Sequence, residues 1–570
     1  MPSRMLRRVS CSAAIAALGW LGCADAATPW WTHASIYEIY VRSFQDSNGD
    51  GIGDLKGVTQ RLGYLHDLGV DAIWLTPFYP SPNADFGYDV SDYTGIAPEY
   101  GTLADWDALV READRQGIRI LVDLVVNHSS DQNPWFIESR TSRDNPKRDW
   151  YVWRDPKPGT ASPGKPQGEP PTNWLSIFPG PAWSWDANSA QWYYHIFLPQ
   201  QPDLNWANPQ LREAMYGVVR YWLDHGASGF RLDATPYLFE DATWPDDPEP
   251  KAGAPVWLKP YNAQLAQGHG VLRDMRAILD GYAGERVLLG ESATANLNDL
   301  DAVYGAHNDE INLPMDFLIG NMSALDPAAF KKQLDDAELK LGGKPPVVFF
   351  SSHDHHRQYT SFGDGVHDEL IAKMTAALTL TPRATALLYY GEEIGMADAP
   401  AAALAGLPLG PKRPVADGRD PERTPMQWSA GTNAGFSTGE PWLPAQAQRS
   451  THNVERERGD AKSVYAWYAQ LLRLRRDDAV FREGAYLPLE SGNPKVFCFA
   501  RTLADGRGAL VLFNMSAEPQ AVRTSGWPGR APALRRVLLS STVFARPAEG
   551  QLESMRLAPY GTAILAYAPR

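Results

Sequence analysis

Short apolar runs rich in β-branched residues alternate with stretches of helical periodicity over most of the chain. Strands are predicted at Ser35–Val41, Val70–Leu75, Ile118–Val126, Gly229–Leu232, Val287–Gly290, Val347–Phe350 and Ala386–Tyr390. Apolar residues recur with the period of a helix at Leu55–Leu68, Leu103–Gln116, Leu211–His225 and Leu265–Tyr282. Strands that alternate with helices in this way indicate a parallel α/β architecture.

Polar side chains cluster where several of these apolar runs end. The residues at these positions are Asn127, His128, Asp233, Glu291, His353 and Asp354. In a (β/α)₈ barrel, the active site lies at the C-terminal ends of the strands. The pattern therefore predicts a TIM barrel whose strand ends share one site.

Two regions depart from the alternation. Residues 129–202 are rich in Pro, Gly and Trp and too long for a plain βα loop, so we expect an inserted subdomain after the third strand. Beyond the helical Ser463–Arg476, β-rich runs separated by turns predict a C-terminal antiparallel β-sandwich. The predicted organisation is a signal peptide at 1–27, a barrel at 28–128 and 203–478, an inserted subdomain at 129–202 and the sandwich at 479–570.

Composition narrows the class of partner. The 570 residues carry a net charge of −14, from 53 basic and 67 acidic residues, with no basic stretch beyond the N-terminus. Nucleic-acid binding needs a dense positive footprint, so this charge argues against it. The 20 Trp residues suit a carbohydrate site, but aromatic rings also fill large cores.

The N-terminus has the pattern of a targeting segment. Arg4, Arg7 and Arg8 precede the apolar run Val9–Gly22, and small residues at Ala24–Ala26 suit cleavage. The run is short for a membrane span, and no later stretch reaches that length, so no spanning helix is expected. We therefore expect export to the periplasm or the medium.

Two features of the cysteines bear on this export. Cys23 follows Leu21-Gly22 in an imperfect lipoprotein-type cleavage site, and the alternative to a signal peptide is a lipid anchor there. Cleavage after residue 27 would leave Cys498 as the single thiol. An exported chain with one cysteine forms no internal disulfide.

Four strand-end segments carry acidic residues and are the candidate catalytic segments. Two carboxylates that flank a bond are what breaking a glycosidic bond needs. The segments are Asp-Leu-Val-Val-Asn-His at 123–128, Gly-Phe-Arg-Leu-Asp-Ala at 229–234, Val-Leu-Leu-Gly-Glu at 287–291 and Phe-Phe-Ser-Ser-His-Asp at 349–354. In order and spacing they resemble the four short sequence regions of the α-amylase superfamily of glycoside hydrolases. Further segments, Gln201–Asn205, Tyr389–Met396 and Asp420–Trp428, resemble the oligo-1,6-glucosidase and α-glucosidase (maltase) branch, with trehalose synthase as a close relative.

This resemblance extends from about Trp30 to the C-terminus and implies roles for individual residues. Asp233 would be the nucleophile, Glu291 the general acid and base, and Asp354 the carboxylate that stabilises the transition state. One departure from the family pattern is Ser352, which stands where Asn is usual, before the His-Asp pair.

The same resemblance implies a set of substrate-binding residues: Asp85, Tyr88, His128, Phe197, Arg231, His353 and Arg423. Arg231 would keep the Asp233 carboxylate ionised, and Arg423 is expected to pair with Asp85. Phe197 and the histidines also have a structural alternative, as core side chains. Asp123 is interpreted as a support for Arg231 or for the barrel interior, rather than as a site residue.

The loop Asp46–Asp54 has alternating oxygen-bearing side chains among glycines, which suits calcium. It resembles the start of an EF-hand loop, but Gly57 stands where the bidentate Glu belongs. The family resemblance implies a structural Ca²⁺ held by Asp46, Asn48, Asp50, the Ile52 carbonyl and Asp54. The alternative is a polar turn that binds no metal.

The leading functional hypothesis is a retaining, exo-acting α-glucosidase that cleaves small α-glucosides such as maltose, with transglucosylation as a side activity. Ala234, directly after the nucleophile, favours α-1,4 over α-1,6 linkages by the same resemblance. The alternatives are a trehalose synthase and an oligo-1,6-glucosidase. A non-catalytic heavy chain of amino-acid transporters fits poorly, because such chains lack the carboxylates and carry a membrane helix.

Overall fold

Eight parallel strands form the centre of the computed structural model, which describes residues 29–248, 261, 263, 265–544 and 555–570. The strands are β1 (Ser35–Ile39), β2 (Ala72–Leu75), β3 (Arg119–Val125), β4 (Gly229–Asp233), β5 (Val287–Gly290), β6 (Leu313–Pro314), β7 (Val347–Val348) and β8 (Thr385–Tyr389). Their order in the sheet is β7-β8-β1-β2-β3-β4-β5-β6. A parallel bridge between Met315 and Val347 joins the two edges, and the sheet thereby closes into the predicted barrel.

The strands are buried on both faces, as expected for a parallel sheet that is covered by helices. All residues of β1, β2, β4, β5 and β8 are buried. The sequence pattern located seven of the eight strands but missed β6. That strand has only two residues, Leu313 and Pro314, which is too short to produce a periodic signal.

Helices surround the barrel and join its strands. The longer ones cover Leu55–Leu68, Leu103–Gln116, Pro209–Asp224, Gly268–Asp280, Pro327–Leu341, Asp368–Leu380 and Val464–Asp477. The shorter ones cover Val41–Phe44, Pro134–Ser139, Leu297–Ala302, Phe317–Gly320, Gln358–Phe362, Ala401–Leu404, Val454–Arg458 and Ala479–Glu483. The helix Pro209–Asp224 begins two residues before the predicted start at Leu211. The reason is that the Asn208 side chain caps its N-terminus by accepting from the backbone N–H groups of Gln210 and Leu211.

Between β3 and β4 the chain forms a small antiparallel sheet, in the region where an insertion is predicted. Its strands are Trp153–Arg154, Gln191–Tyr194 and Trp183–Asp186, in that order. Aromatic rings fill its core, among them Trp174 and Trp183, which are each 1% exposed. This core also contains Ala234 and Tyr237, so the insertion packs directly against the end of β4.

The C-terminal region is antiparallel, as predicted. Five strands, Ala485–Pro488, Val496–Thr502, Gly508–Asn514, Thr562–Ala568 and Ala533–Ser540, form one sheet in this order. A second sheet pairs Gln520–Val522 with Met555–Leu557. Side chains of both sheets share one hydrophobic cluster, which is the packing of a sandwich.

Two predictions about the N-terminus, the signal peptide 1–27 and the lipid anchor at Cys23, lie outside the described residues. Within the described part, Cys498 is a buried free cysteine on a strand of the C-terminal sheet. Over the same residues, no helix has both the length and the apolar composition that crossing a bilayer requires.

Candidate active site

Asp233 and Glu291 meet at the C-terminal ends of two paired strands. Asp233 ends β4 and Glu291 directly follows β5, and its backbone N–H donates to the Leu232 carbonyl (2.9 Å). The Arg231 guanidinium donates from Nη1 to Asp233 Oδ1 (2.7 Å) and from Nη2 to Glu291 Oε2 (2.8 Å). The Ala234 N–H also donates to Glu291 Oε2 (2.9 Å). One cation therefore holds two of the three predicted catalytic carboxylates, Asp233 and Glu291.

Arg231 is itself fixed from below by Asp123 on β3. Its Nη1 donates to Asp123 Oδ1 (3.1 Å), and both side chains are buried. Asp123 Oδ2 in turn accepts hydrogen bonds from Trp74 Nε1 (3.1 Å) and from the Tyr88 hydroxyl (2.9 Å). The structure thus bears out the interpretation of Asp123 as a support for Arg231.

His353 lies between two carboxylates and against an aromatic ring. Its Nδ1 is 2.6 Å from Glu38 Oε1, and its Nε2 is 3.1 Å from Asp354 Oδ2 and 2.7 Å from the Tyr88 hydroxyl. The Tyr88 and His353 rings stack with centroids 5.2 Å apart. Burial lowers the pKa of His353, but Asp354 and Glu38 outweigh it and raise that pKa to about 9. His353 is therefore an imidazolium at neutral pH.

Asp354 is held by three cations. Arg419 Nη1 (2.8 Å) and Arg423 Nη2 (2.9 Å) both donate to its Oδ1, and His353 lies at Oδ2. Although burial alone would raise the pKa of Asp354, His353 and Arg419 bring it well below its usual range. This carboxylate therefore stays ionised and is oriented before any sugar arrives.

The expected pair of Asp85 with Arg423 is wrong, because Arg419 takes that position. Arg419 Nη2 donates to Asp85 Oδ1, and Gln201 Nε2 donates to Asp85 Oδ2 (3.0 Å). Arg423 is nearly fully buried and donates from Nε to the His353 carbonyl (2.7 Å). That bond holds Arg423 at the backbone of His353. Arg419, by contrast, contacts both Asp85 and Asp354.

His128 and Phe197 form part of the pocket wall beside Tyr88. The two rings lie 5.0 Å apart, and His128 Nε2 is 3.1 Å from the Tyr88 carbonyl and 3.0 Å from Gln201 Nε2. Burial lowers the pKa of His128 to about 3, so this histidine is neutral, in contrast to His353. The structure thus brings all the predicted catalytic and substrate-binding residues to one end of the barrel.

Opposing effects act on the protonation of Asp233. Burial raises the pKa of Asp233 well above its usual range, Arg231 opposes this rise, and Glu291, Asp123 and Asp354 add to it. The charge-assisted hydrogen bond from Arg231 Nη1 favours the ionised form of Asp233. A pair in which one group is ionised and the other is protonated is what acid-assisted displacement requires.

Three further pocket residues lie outside the predicted set. Glu38 is a single acidic residue within the apolar strand β1, and it is fully buried, a signal that the sequence already contained. Arg419 directly precedes the recognised segment Asp420–Trp428. Asp417, which accepts from Arg419 Nε (2.9 Å), has no such signal, since only the loop geometry brings it to the site.

The predicted calcium loop lies between the helix Val41–Phe44 and the helix Leu55–Leu68. Asp46 accepts the N–H groups of Asn48 (2.9 Å) and Gly49 (2.7 Å), and Asp50 accepts that of Ile52 (2.8 Å). Asp54 caps the following helix through the Gly57 N–H (2.8 Å). The candidate ligands on this loop are all oxygens, a donor set that fits a hard cation.

Comparison with known proteins gives matches over most of the chain. A family model described as alpha amylase, catalytic domain, matches residues 38–484. A probable α-glucosidase of Rhizobium meliloti (strain 1021) is 39% identical over 517 residues, which cover 86% of this chain and 90% of the relative. An oligo-1,6-glucosidase of Parageobacillus thermoglucosidasius is 35% identical over 565 residues, covering 93% and 98%. The trehalulose synthase from Pseudomonas mesoacidophila MX-45 superposes with a TM-score of 0.84 at 35% identity, covering 95% of this chain and 100% of that one.

Proposed function

Because this chain belongs to the α-amylase family of glycoside hydrolases, we propose that it is a retaining, exo-acting α-glucosidase that hydrolyses short α-1,4-linked gluco-oligosaccharides such as maltose. The observation that carries the proposal is the shared guanidinium of Arg231, which holds Asp233 and Glu291 side by side. In retaining enzymes the two carboxyl groups are typically about 5–5.5 Å apart, and in inverting enzymes the separation is wider. Two carboxyl groups that bind the same guanidinium suit the shorter separation better.

The mechanism follows from this pair of carboxyl groups. Asp233 attacks the anomeric carbon while Glu291 gives its proton to the departing glycosidic oxygen, so that a glucosyl ester forms and the remaining sugar leaves as an alcohol. Glu291 then takes a proton from water, and the oxygen of that water attacks the same carbon and releases Asp233. Two inversions give glucose with the original α-configuration.

Other groups of the pocket stabilise the charge that develops on the sugar ring. The anionic Asp354, held by Arg419 and Arg423, accepts hydrogen bonds from sugar hydroxyls and faces the positive charge of the oxocarbenium-like transition state. The cationic His353 next to it donates to a hydroxyl from the ring nitrogen that now contacts Tyr88. These groups are oriented in advance by their partners, so little reorganisation is needed during the reaction.

The closed end of the pocket supports exo action. Asp85 follows β2 and Arg419 follows β8, and the ion pair between them, with Gln201 on the second Asp85 oxygen, joins the loops that follow these two strands at the barrel mouth. A chain with a further sugar on its non-reducing end would have to separate this pair. We therefore infer that the enzyme removes terminal glucose rather than cleaving internal bonds of starch.

A second candidate function is glucosyl transfer to another sugar, such as the isomerisation of a disaccharide. It is favoured by the likeness to a trehalulose synthase over 95% of this chain. Both functions use the same glucosyl ester and differ in whether water or a sugar hydroxyl attacks it. The pocket residues described above serve either reaction.

A product assay distinguishes the two candidates. The purified protein is incubated separately with maltose, isomaltose and sucrose, with Asp233→Ala as the inactive control, and products are followed by chromatography and NMR. Two glucose molecules per maltose, with α-glucose formed first, would support the proposal. An isomeric disaccharide with little free glucose would favour transfer. Release of β-glucose first, or no turnover of any of the three sugars, would overturn the proposal.

We also propose that Ca²⁺ binds the loop Asp46–Asp54 and stabilises it, with Asp46, Asn48, Asp50, the Ile52 carbonyl and Asp54 as ligands. The support is the all-oxygen donor set and the turns that already arrange it. Export through the N-terminal segment is a further proposal. Sequencing of the N-terminus of the mature protein would show cleavage near residue 27, or lipidation of Cys23.

A further inference from the structure

A separate cluster of metal-ligating side chains lies close in sequence to two pocket residues, Asp354 and Arg423. It consists of His356, two residues after Asp354, with Asp398 from the loop after β8 and Glu422 from the segment before Arg423. One ligand atom of each residue lies within 4.8 Å of the others. His356 Nδ1 is 2.8 Å from Asp398 Oδ2 and 3.6 Å from Glu422 Oε2.

The two carboxylates of this cluster lack a permanent counter-ion. In the described part of the chain, the ion pairs of Asp398 and Glu422 involve only His356, with no Lys or Arg. Of the nearby guanidinium groups, Arg423 binds Asp354, and Arg357 donates from Nη1 to the Tyr390 carbonyl (2.6 Å) while its Nε and Nη2 have no hydrogen-bond partner among the described residues. Arg357 and Arg423 therefore act on the two carboxylates only from a distance, and neither is in direct ion-pair contact with them.

Glu422 provides the independent sign of a missing ligand. The residue is 2% exposed, and among the described residues nothing donates a hydrogen bond to its Oε2. That oxygen points toward His356 Nδ1 and Asp398 Oδ2. A buried carboxylate oxygen without a donor is rare unless a cation or a proton supplies its partner.

We propose that His356 Nδ1, Asp398 Oδ2 and Glu422 Oε2 form a binding site for a divalent transition-metal ion of the Zn²⁺ class. An imidazole nitrogen with two carboxylate oxygens suits Zn²⁺, whereas Ca²⁺ prefers oxygen donors alone. Ligand atoms about 2.0–2.2 Å from a tetrahedral zinc lie about 3.3 Å from one another, and the two observed separations, 2.8 and 3.6 Å, bracket that value.

The surroundings of the cluster suit such an ion. Asp398 Oδ1 accepts the Arg357 N–H (2.9 Å), which fixes the carboxylate so that Oδ2 faces His356, as ligands in metal sites are fixed by their own hydrogen bonds. The His356 side chain is 67% exposed, so an ion can enter from solvent and keep a water molecule as its fourth ligand. This site is distinct from the proposed calcium loop and does not depend on the glucosidase reaction.

Zinc binding tests the proposal directly. Full-length protein is freed of metal with a chelator, dialysed and titrated with Zn²⁺ by calorimetry, and the bound metal is counted by elemental analysis. We expect one Zn²⁺ per chain and a higher melting temperature with zinc. Both His356→Ala and Glu422→Gln should weaken binding at least about tenfold.

Two controls define what the titration reports. His367→Ala removes a surface histidine whose Nδ1 lies 2.8 Å from the carboxylate of Asp364, and zinc binding should be unchanged. Asp50→Ala alters the calcium loop and should also leave it unchanged. If the unaltered protein binds no zinc, or if both cluster variants bind it as well as the unaltered protein does, the proposal is overturned. In the first case a proton shared between Glu422 and His356 would be the partner of the buried oxygen.

Discussion

The catalytic pocket and the loop Asp46–Asp54 both gather carboxylates, but they hold them in opposite ways. In the pocket, Asp233 and Asp354 are held by guanidinium groups that are charged and buried or half-buried. In the loop, Asp46 and Asp50 are held by backbone N–H groups within a few residues. The first arrangement sets protonation states for chemistry, whereas the second shapes a turn that is able to accept a cation.

The largest difference should appear in turnover. Asp233→Ala and Glu291→Gln should each lower kcat by at least 10²–10⁴-fold, because each variant removes the nucleophile or the proton donor. The melting temperature should change little. Asp50→Ala in the loop is the matched control and should leave kcat nearly unchanged. A glucosidase assay with thermal melts checks all three, and substantial activity of the Asp233 variant would refute the assignment.

The second effect concerns stability and should be confined to the loop. Added Ca²⁺ should stabilise the chelator-treated protein by about 2.7 kcal/mol when its concentration is one hundred times the dissociation constant. Asp50→Ala should abolish this gain. Asp241→Ala is the control, since Asp241 makes a similar turn with the Thr243 N–H (2.7 Å) outside the loop. Calorimetric melts with calcium as the only added metal would measure this stabilisation. An equal stabilisation of the Asp50→Ala variant by calcium would disprove the site.

A third, smaller effect concerns linkage preference. Ala234→Val should shift the ratio of kcat/KM values toward isomaltose over maltose by about 1–3 kcal/mol. Ala234 has φ +49° and is 4% exposed, so a β-branched residue is strained there and the Val variant should also melt earlier. Ala234→Gly relieves the backbone strain and should leave the ratio closer to that of the unaltered protein. A ratio that does not move in the Val variant would show that this side chain does not set the preference.

The smallest expected effect is a dependence of stability on pH that comes from His353. Its folded pKa, about 9, lies above the unfolded value of roughly 6.5. Its contribution is therefore full below the unfolded pKa and is lost as the pH rises through 9. Between pH 8 and 9 the loss should be about 1 kcal/mol relative to His353→Gln.

His128→Gln is the control for this pH effect, because burial keeps His128 neutral over the same range. Its difference from the unaltered protein should stay constant between pH 8 and 9. Denaturant unfolding at both pH values measures these differences. Parallel behaviour of the two histidine variants would mean that His353 is not a cation in the folded protein.

The sequence predicted the parts of the molecule that depend on periodicity and on strand ends. Asp233 and Glu291 close strands whose apolar runs are easily recognised, so their meeting at one barrel end follows from the topology. The fold, the family and the class of enzyme were all predictable in this way and are confirmed. The functional roles of individual site residues stay predictions.

The sequence could not show which arginine reaches Asp85. Arg419 and Arg423 are four residues apart in one irregular segment, where no helical or strand period orients their side chains. The choice depends on the bond from Arg423 to the His353 carbonyl, which is a tertiary contact. The two-residue strand β6 was missed for a related reason, since neighbouring strands rather than its own sequence define it.

The contacts of His353 and Arg419 connect parts of the chain that are synthesised far apart. The bond from His353 to Glu38 spans 315 residues, and that from Arg419 to Asp85 spans 334. Contacts of such sequence separation close large loops and form late in folding. A growing chain that ends before residue 419 lacks the bond from Arg419 to Asp85. It also lacks the two arginines, Arg419 and Arg423, that bind Asp354. Hydrolytic activity should therefore emerge only after nearly the whole barrel is made, which makes it a sensitive reporter of complete folding.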